Sequence, residues 1–322
     1  MSSVHVPVLL NEMVQALAPR DGGVYLDGTF GRGGYSRAIL NAADCRVWAI
    51  DRDPSAIEQA RVMETEYPGR FTILCGRFGD MEQLLKGAGV DELDGVVLDI
   101  GVSSPQIDTA ERGFSFRLPG PLDMRMGGEG PTAADIVNQW DEVELAKVIR
   151  DFGEEHRARQ VARAIVRARD IEPITTTTQL ADIVRSVVRK AKDGLDPATR
   201  TFQALRIQVN DELGELDRAL AAAEGLLRPG GHLVVVAFHS LEDKRVKAFM
   251  TARSGGQGIS RHMPGPAPDA PKPTFTLAKR SSIKPSEAEI RANPRCRSSR
   301  LRVAVRTDAP AVPQAASRGR RA

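Results

Sequence analysis

The chain has 322 residues, of which 41% are hydrophobic and 27% are charged, proportions that are typical of a globular protein and exclude a disordered or fibrous one. No run approaches the roughly 18 apolar residues of a membrane helix, and the first residues lack a basic start followed by an apolar block, so the sequence predicts a cytoplasmic protein without a membrane partner. Three scattered cysteines, Cys45, Cys75 and Cys296, exclude a disulfide framework or a cysteine zinc site, and no metal is expected.

The net charge of +3 conceals an asymmetry along the chain. From Lys244 to the end there are 18 Lys+Arg against 4 Asp+Glu, a net of +14, whereas residues 1–243 have 27 against 38, a net of −11. A basic C-terminal quarter on an acidic body favours a polyanion as partner. The last residues, 307–322, are rich in Ala, Pro and Arg and are predicted to be a disordered basic tail.

A first helix is predicted over residues 9–17 and a first strand over residues 24–27, followed by a glycine-rich loop and a second helix. Gly31 and Gly33 permit positive φ and a close approach of the backbone to a ligand, and the helix start offers free N–H groups. The sequence therefore predicts that this loop cradles a nucleotide-like ligand.

The identity of that ligand depends on two neighbouring residues. The dinucleotide fingerprint needs a glycine where the chain has Ser36, and Asp27 at the strand end would repel a pyrophosphate. A D-x-G-x-G-x-G-like loop after an acidic residue is typical of methyltransferases that use S-adenosylmethionine, and here Thr29 replaces the first glycine. The carboxylate suits the sulfonium and ammonium of that cofactor, which is the predicted one, and an NAD-dependent oxidoreductase is the disfavoured alternative.

The next strands add candidate cofactor residues. Strand two, residues 46–51, ends at Asp51, which is predicted to bind the ribose hydroxyls; Asp53 is the competitor, with a helix N-cap as its structural role. Strand three, residues 71–75, is followed by Phe78, which contacts the adenine or belongs to the core.

Strand four, residues 95–100, contains Asp99 and leads into Gly101-Val102-Ser103-Ser104-Pro105-Gln106. Continuous apolar strands that alternate with helices predict a parallel sheet covered on both faces, with ligands beyond the carboxyl ends of the strands.

Residues 108–209 change to a rhythm of helices, with patterns over residues 155–169, 179–190 and 197–208 and a capping box at Asp141-x-x-Glu144. This stretch is predicted to be a helical insertion. Its opening, residues 112–117, forms a substrate lip or a packed hinge.

The α/β pattern resumes with a helix at residues 212–227, a turn at residues 228–231, a strand at residues 232–238 and the strand-end loop His239-Ser240-Leu241-Glu242-Asp243. After a Gly/Pro-rich connector, two strands at residues 274–278 and 300–306 are predicted to close the sheet as an antiparallel hairpin. Period two places three arginines on one face of the last strand, as an RNA contact or as edge protection: Arg300, Arg302 and Arg306.

The predicted fold is α/β: a Rossmann-like seven-stranded class I methyltransferase sheet with an inserted all-helical domain. The methyltransferase domain comprises residues 1–107 and 210–306, and the insertion, residues 108–209, is assigned to substrate recognition.

Several of these stretches together resemble one family, the bacterial small-subunit ribosomal RNA methyltransferase H family, also called MraW. The resemblance covers nearly the whole chain up to about Arg306. The matching segments are His5-Val6-Pro7-Val8-Leu9, Asp27-Gly28-Thr29-Phe30-Gly31-Arg32-Gly33-Gly34, Ala49-Ile50-Asp51-Arg52-Asp53, Leu98-Asp99-Ile100-Gly101-Val102-Ser103-Ser104-Pro105-Gln106, Arg112-Gly113-Phe114-Ser115-Phe116-Arg117, Ala237-Phe238-His239-Ser240-Leu241-Glu242-Asp243 and Asn293-Pro294-Arg295-Cys296-Arg297-Ser298.

The resemblance implies methyl transfer from S-adenosylmethionine to the exocyclic amino nitrogen N(4) of a cytidine in the decoding region of 16S rRNA, in the small ribosomal subunit. The family usually has a histidine where this chain has Tyr35, so a backbone contact there would survive and an imidazole role would not. The cofactor contacts that the resemblance implies are Gly33, Gly34, Tyr35, Asp51, Phe78, Asp99 and Gln106.

The catalytic candidates are Asp99, Ser103, Ser104 and His239. The segment from Ser103 to Gln106 is similar to the S-P-P-[YW] motif with which amino methyltransferases hold a flipped base, but it lacks the aromatic residue, a role open to Phe114 or Phe116. Asp99 is a proton acceptor or a cofactor ligand, and His239 contacts the base or is structural.

Two other functions stay open: a methyltransferase of this fold that acts on another RNA or DNA amino group, and a non-catalytic RNA-binding protein. A homodimer, and the choice between free rRNA and the assembled subunit as substrate, are likewise left open by the sequence.

Overall fold

The computed structural model describes residues 7–189, 194–255 and 272–312 and divides the chain into two compact units. The sheet unit comprises residues 1–101 and 214–322, and the helical unit comprises residues 102–213. Three features named from the sequence lie outside the described residues: the pair His5-Val6, most of the Gly/Pro-rich connector and residues 313–322 of the predicted tail. Residues 307–312, where that tail was predicted to begin, are described: the N–H of Thr307 donates to the carbonyl of Thr274 at 2.9 Å, and Ala309 is buried.

The secondary structure alternates as the sequence predicts. The strands are β1 (Val24–Asp27), β2 (Arg46–Asp51), β3 (Phe71–Cys75), β4 (Leu93–Asp99), β5 (Leu227–Ala237), β6 (Phe275–Thr276) and β7 (Arg300–Arg306). The helices are α1 (Leu10–Leu17), α2 (Gly34–Ala42), α3 (Pro54–Glu66), α4 (Met81–Gly87), α5 (Ser104–Asp108), α6 (Ala133–Gln139), α7 (Glu142–Gly153), α8 (Ala158–Arg169), α9 (Thr177–Val187), α10 (Ala198–Asn210), α11 (Glu212–Leu226), α12 (Ser240–Arg253) and α13 (Glu287–Ala292).

The strands form one seven-stranded sheet in the order β3-β2-β1-β4-β5-β7-β6. Strands β1 to β5 are parallel, and β7 runs antiparallel to both β5 and β6. This topology confirms the predicted α/β sheet and its closing hairpin. The carboxyl ends of β2, β1 and β4 consequently lie side by side, because those strands are neighbours and parallel.

Apolar side chains of successive residues point to opposite faces of the sheet, and both faces are covered. Tyr25 and Val97 belong to a cluster with residues of α1, α2 and α3, whereas Leu26 and Leu98 belong to a cluster with residues of α4, α11 and α12. Burial on both faces explains why the strands read as continuous apolar runs rather than as alternating ones.

Strand β5 begins earlier than the sequence predicts. The turn expected at residues 228–231 lies inside the strand, where Leu227 pairs with Leu93 and the register shifts before Gly95 pairs with His232. Gly230 has φ of 83°, a conformation open to glycine, and it absorbs the irregularity without ending the strand.

The C-terminal strand corrects the proposed RNA-facing row of arginines. Arg306 is buried, and its guanidinium donates to the carbonyls of Glu224 (2.9 Å) and Thr274 (3.1 Å). Arg302 forms a two-point pair with Asp243, at 2.7 and 3.0 Å. Strand β7 also lies between β5 and β6, so it is not an edge strand that needs protection by charge. The guanidinium groups of Arg302 and Arg306 are bound to other parts of the protein, and the prediction that they share an RNA-facing surface is wrong.

The helical unit has a core of its own. Helix α8 buries Ala158, Val161, Ala162 and Ile165, the spacing of one helical face, against residues of the neighbouring helices. Asp141 caps α7 by accepting from the N–H of Glu144 at 2.7 Å. Within the described ranges, no helix is both long and apolar enough to cross a membrane.

We expect Phe275→Ala to lower the free energy of unfolding by about 3–5 kcal/mol, because the ring is fully buried and packs edge-on against Phe249, 6.0 Å between centroids. Urea unfolding followed by circular dichroism measures the loss. Thr276→Ala, at the exposed next position of β6, is the control and should change the free energy by less than about 1 kcal/mol; an equal loss in both variants would contradict the packing argument.

Candidate cofactor site

The glycine loop between β1 and α2 is held by backbone hydrogen bonds to two strands. The N–H of Gly28 donates to the carbonyl of Val97 at 2.9 Å, and the N–H of Phe30 donates to the carbonyl of Ile50 at 3.0 Å. Gly33 caps α2 with φ of 73°, and a Cβ there would lie 2.7 Å from the Phe30 ring. Only glycine meets both conditions, so the loop can bring its backbone close to a ligand.

Asp27, at the end of β1, anchors this loop. Its carboxylate is fully buried and accepts from the Ser36 hydroxyl (2.7 Å) and from the N–H of Thr29 (3.2 Å). Burial raises the pKa of Asp27 to about 6, with a further contribution from the charge of Asp51. Ser36, which counted against a dinucleotide site, thus has a structural role that sequence reasoning missed.

Asp51, at the end of β2, faces the loop. Its Oδ2 accepts from the N–H of Gly31 at 2.8 Å and its Oδ1 from the N–H of Asp53 at 2.9 Å. Burial is the main cause that raises the pKa of Asp51. Asp53, its competitor, is instead the N-cap of α3 and accepts from the N–H of Ser55 at 3.1 Å. The structure therefore separates the two carboxylates by role.

Asp99 ends β4 and completes the row. Its N–H donates to the Thr29 hydroxyl at 2.7 Å, which ties the strand to the glycine loop. Its Oδ1 atom is buried and has no hydrogen-bond partner among the residues described. Burial, followed by the charges of Asp27 and Glu242, raises the pKa of Asp99 well above its usual range. A buried acceptor of this kind is rare in a native structure unless water, an ion or a ligand satisfies it.

The three carboxylates at the ends of β2, β1 and β4 repel one another at low solvent exposure, and each has a raised pKa. A cationic ligand relieves that repulsion, and it also supplies a donor for the unsatisfied Oδ1 of Asp99. These residues therefore fit the sulfonium and ammonium of S-adenosylmethionine, whereas a pyrophosphate would add a fourth negative group.

Phe78 and Tyr35 lie next to the same loop. Phe78 lies in a 3₁₀ turn after β3, half-buried, with its Cβ 3.7 Å from the position of a Cβ on Gly28. Tyr35 is buried and its hydroxyl donates to the carbonyl of Val8, while a Cβ on Gly34 would clash with Pro7. The side chain of Tyr35 is thus committed to the N-terminal segment, so a cofactor contact at this position is one of backbone.

The other predicted contacts belong to the helical unit. Ser103 is the N-cap of α5, and its N–H donates to Oε1 of Gln106 at 3.0 Å in a capping box; Ser104 is the first residue of the helix. Phe116 packs edge-on against Phe202, with centroids 5.1 Å apart. Phe114 lies under the guanidinium of Arg112, 5.8 Å from its ring centroid.

His239 is the N-cap of α12, and both of its ring nitrogens lie close to Glu242. Its Nδ1 accepts from the N–H of Glu242 at 3.4 Å, and its Nε2 lies 2.9 Å from Oε1 of Glu242. The buried Glu242 carboxylate accepts in turn from the N–H groups of Phe238 (2.8 Å) and His239 (3.1 Å). Sequence reasoning missed Glu242, although its spacing of three from the capping residue was the available signal.

Comparison with known proteins identifies the family of the chain. The model of the MraW methylase family matches residues 2–307. The chain belongs to the MraW methylase family. Two relatives are named ribosomal RNA small subunit methyltransferase H: that of Paramagnetospirillum magneticum is 60% identical, over 95% of this chain and 97% of its own, and that of Rhodospirillum centenum is 62% identical, over 96% and 94%. An rRNA methylase structure from Streptococcus thermophilus aligns over 95% of this chain and 99% of its own, with 8% identity and a TM-score of 0.42.

Membership of a methylase family confirms the predicted methyl donor of this MraW-family methylase, S-adenosylmethionine. Within the sheet unit, the residues that would hold it are the glycine loop and the carboxylates of Asp51 and Asp99.

Asp27 makes the stability of this methylase depend on pH. The unfolded chain releases the Asp27 proton near pH 3.8 and the folded chain near pH 6, so the folded state binds more protons in between and loses stability as the pH rises. Relative to Asp27→Asn, the wild-type free energy of unfolding should fall by on the order of 3 kcal/mol between about pH 4 and about pH 6.5. Urea titrations at several pH values measure this difference.

Asp135→Asn is the control for that titration. The hydrogen bond from Thr132 lowers the pKa of Asp135, so its contribution is lost only at more acidic pH and the difference from wild type stays level over the same range. If the difference in free energy of unfolding between wild type and Asp27→Asn also stayed constant over this pH range, protonation of Asp27 would not be coupled to folding.

Asp51→Asn should weaken S-adenosylmethionine binding roughly 10- to 150-fold, since a charge-assisted acceptor is worth about 1.5 to 3 kcal/mol. Titration calorimetry measures the affinity. Asp53→Asn is the matched control two residues away; asparagine caps a helix as well as aspartate does, so its affinity should stay within about threefold of wild type. Equal affinities of Asp51→Asn and wild type would reject a ribose role for Asp51.

Proposed function

We propose that this methylase transfers a methyl group from S-adenosylmethionine to the exocyclic N(4) amino group of a cytidine in the decoding region of 16S rRNA. The names of the relatives support an rRNA of the small subunit as substrate. The observation that carries the proposal is the unsatisfied Oδ1 of Asp99, four residues before the Ser103-Ser104-Pro105-Gln106 segment. An rRNA substrate implies action in the cytoplasm.

The reaction sets two requirements for the protein. S-adenosylmethionine, when bound, supplies an electrophilic methyl group on sulfur. The amino nitrogen of cytosine is a poor nucleophile, because its lone pair is delocalised into the ring, and it must lose a proton as the new bond forms. The protein must therefore position the amino group in line with the methyl group and accept its proton.

Asp99 meets the second requirement. Burial and the nearby carboxylates raise the pKa of Asp99, and the cationic cofactor, when bound, favours the ionised form that can accept a proton. Its other predicted role is that of a cofactor ligand, and the two roles differ in their kinetics. If Asp99 accepts the proton, Asp99→Asn lowers kcat and leaves the cofactor affinity unchanged; if it binds the cofactor, the affinity itself falls.

Ser103 and Ser104 are proposed to hold the base, at the positions where their segment resembles the S-P-P-[YW] motif. Their helix start also depends on Gln106, whose amide accepts from the N–H of Ser103. The helical unit is proposed to recognise the RNA: its 16 basic and 15 acidic residues between positions 110 and 210 favour a shaped surface over bulk attraction. A base contact of His239 and a homodimer stay predictions.

The decisive experiment is transfer of a labelled methyl group to small subunits from a strain that lacks this protein, followed by nucleoside analysis of the 16S rRNA. We expect label in N(4)-methylcytidine at one position, and at least about a 100-fold lower rate with Asp99→Asn. Label at another amino group would redirect the proposal to a different site. RNA binding without any transfer would favour a non-catalytic RNA-binding protein.

A further inference from the structure

A cavity of about 410 Å³ opens in the sheet unit between α12, β7 and the segment that follows β6. We call it the basic cavity. Helix α12 presents one face to it, because the lining residues from this helix recur at helical spacing, and β7 contributes two neighbouring positions. The lining residues are Lys247, Met250, Thr251, Ser254, Leu277, Lys279, Arg280, Ser281, Arg302 and Val303.

Among the described residues that line the basic cavity, four have cationic side chains and none is acidic. Arg302 is neutralised by Asp243, at 2.7 and 3.0 Å. Lys247, Lys279 and Arg280 are exposed, and none of them forms an ion pair with another described residue. Three uncompensated like charges around one cavity repel one another, and an anion relieves this repulsion.

The other lining groups narrow the class of anion. The hydroxyls of Thr251 and Ser281 can donate to phosphate oxygens, as side chains of this type do at nucleic-acid backbones, whereas the Ser254 hydroxyl donates to the carbonyl of Thr251 at 3.2 Å. Met250, Leu277 and Val303 give an apolar wall, which suits the carbon atoms of a sugar better than it suits a free, fully hydrated ion. The volume lies in the range of cavities that hold a nucleotide-sized group.

We propose that the basic cavity binds a phosphodiester group of the RNA substrate, with the adjoining sugar against the apolar wall. The identity of the polyanion as RNA rests on the proposed function. The contact is one of backbone, so it positions the RNA without reading its sequence. It replaces the predicted contact of Arg302 and Arg306, whose guanidinium groups are committed to Asp243 and to backbone carbonyls.

The test compares two double variants of the full chain that remove the same charge. Lys247→Gln with Lys279→Gln alters the cavity, and Arg46→Gln with Arg61→Gln alters exposed arginines that do not line it. The probe is a fluorescent oligouridylate of roughly 12 nucleotides, whose affinity is measured by anisotropy over a range of salt concentrations. Each phosphate contact on a single strand contributes about −0.7 to the slope of log K against log salt.

We expect the cavity variant to bind the oligouridylate more weakly and to lose about 0.7 from the magnitude of the slope, the contribution of the one phosphate that the cavity holds, while the control keeps the wild-type slope. S-adenosylmethionine affinity should be unchanged in both, which also verifies that both variants fold. An unaltered slope in the cavity variant, or an equal change in the control, would overturn the proposal.

A second arm separates RNA from a small anion. If inorganic phosphate raises the melting temperature of the wild type but not of the cavity variant, while the oligouridylate slopes are equal, the site takes a small anion and the RNA assignment is overturned. Because oligouridylate contains no cytosine, its binding does not depend on the proposed reaction. A different methylated nucleoside would therefore refute the proposed function and leave the cavity result intact.

Discussion

The candidate site depends on one buried interaction, the hydrogen bond that the Ser36 hydroxyl donates to the carboxylate of Asp27. This bond joins the end of β1 to the first turn of α2 across the glycine loop, and the N–H of Thr29 adds a second donor to the same carboxylate. A loop with positive φ at Gly31 and Gly33 has little stability of its own, since glycine loses more conformational freedom on folding than other residues do. The anchored ends make a defined cradle from a flexible segment.

The same loop sets the positions of the two carboxylates that flank it. Asp51 accepts from the N–H of Gly31, and the N–H of Asp99 donates to Thr29, so both strand ends are tied to the loop. The raised pKa values of all three aspartates show that this arrangement opposes ionisation in the protein alone. The geometry is thus balanced for a positively charged ligand, which would stabilise the carboxylates as it binds.

Much of the fold follows from local pattern. Strands β2, β3 and β7 have the predicted bounds, because β2 and β3 are short, largely apolar runs between clear breaks and Leu301, Val303 and Val305 alternate along β7 with a second set of residues that includes its arginines. The prediction of a turn at residues 228–231 is wrong. Pro and Gly there are compatible with a turn, but the pairing of Leu227 with Leu93 makes these residues part of β5. Local sequence signals do not predict the conformation of a segment where pairing with a distant strand favours a different one.

The site was predictable in kind but not in detail. Asp51 and Asp53 are equivalent from the sequence, and what separates them is the N–H of Gly31, twenty residues away. Arg306 is buried because it donates to the carbonyls of Glu224 and Thr274, which are 82 and 32 residues away in the sequence. The period-two spacing of the arginines in β7 contains no information about these distant partners. The resemblance of long segments predicted the family correctly, although the sequence left these individual roles undecided.

The chain order of the sheet constrains how the protein can be made. Strand β4 lies centrally, yet its partner β5 is synthesised only after the whole helical unit, and β7 enters between β5 and β6 near the end of the described chain. The helical unit has its own core and can fold as soon as it is synthesised. The apolar edge of β4 stays unpaired until the ribosome has synthesised β5. A nascent chain halted between the two therefore exposes an unpaired apolar strand, the species on which chaperones act.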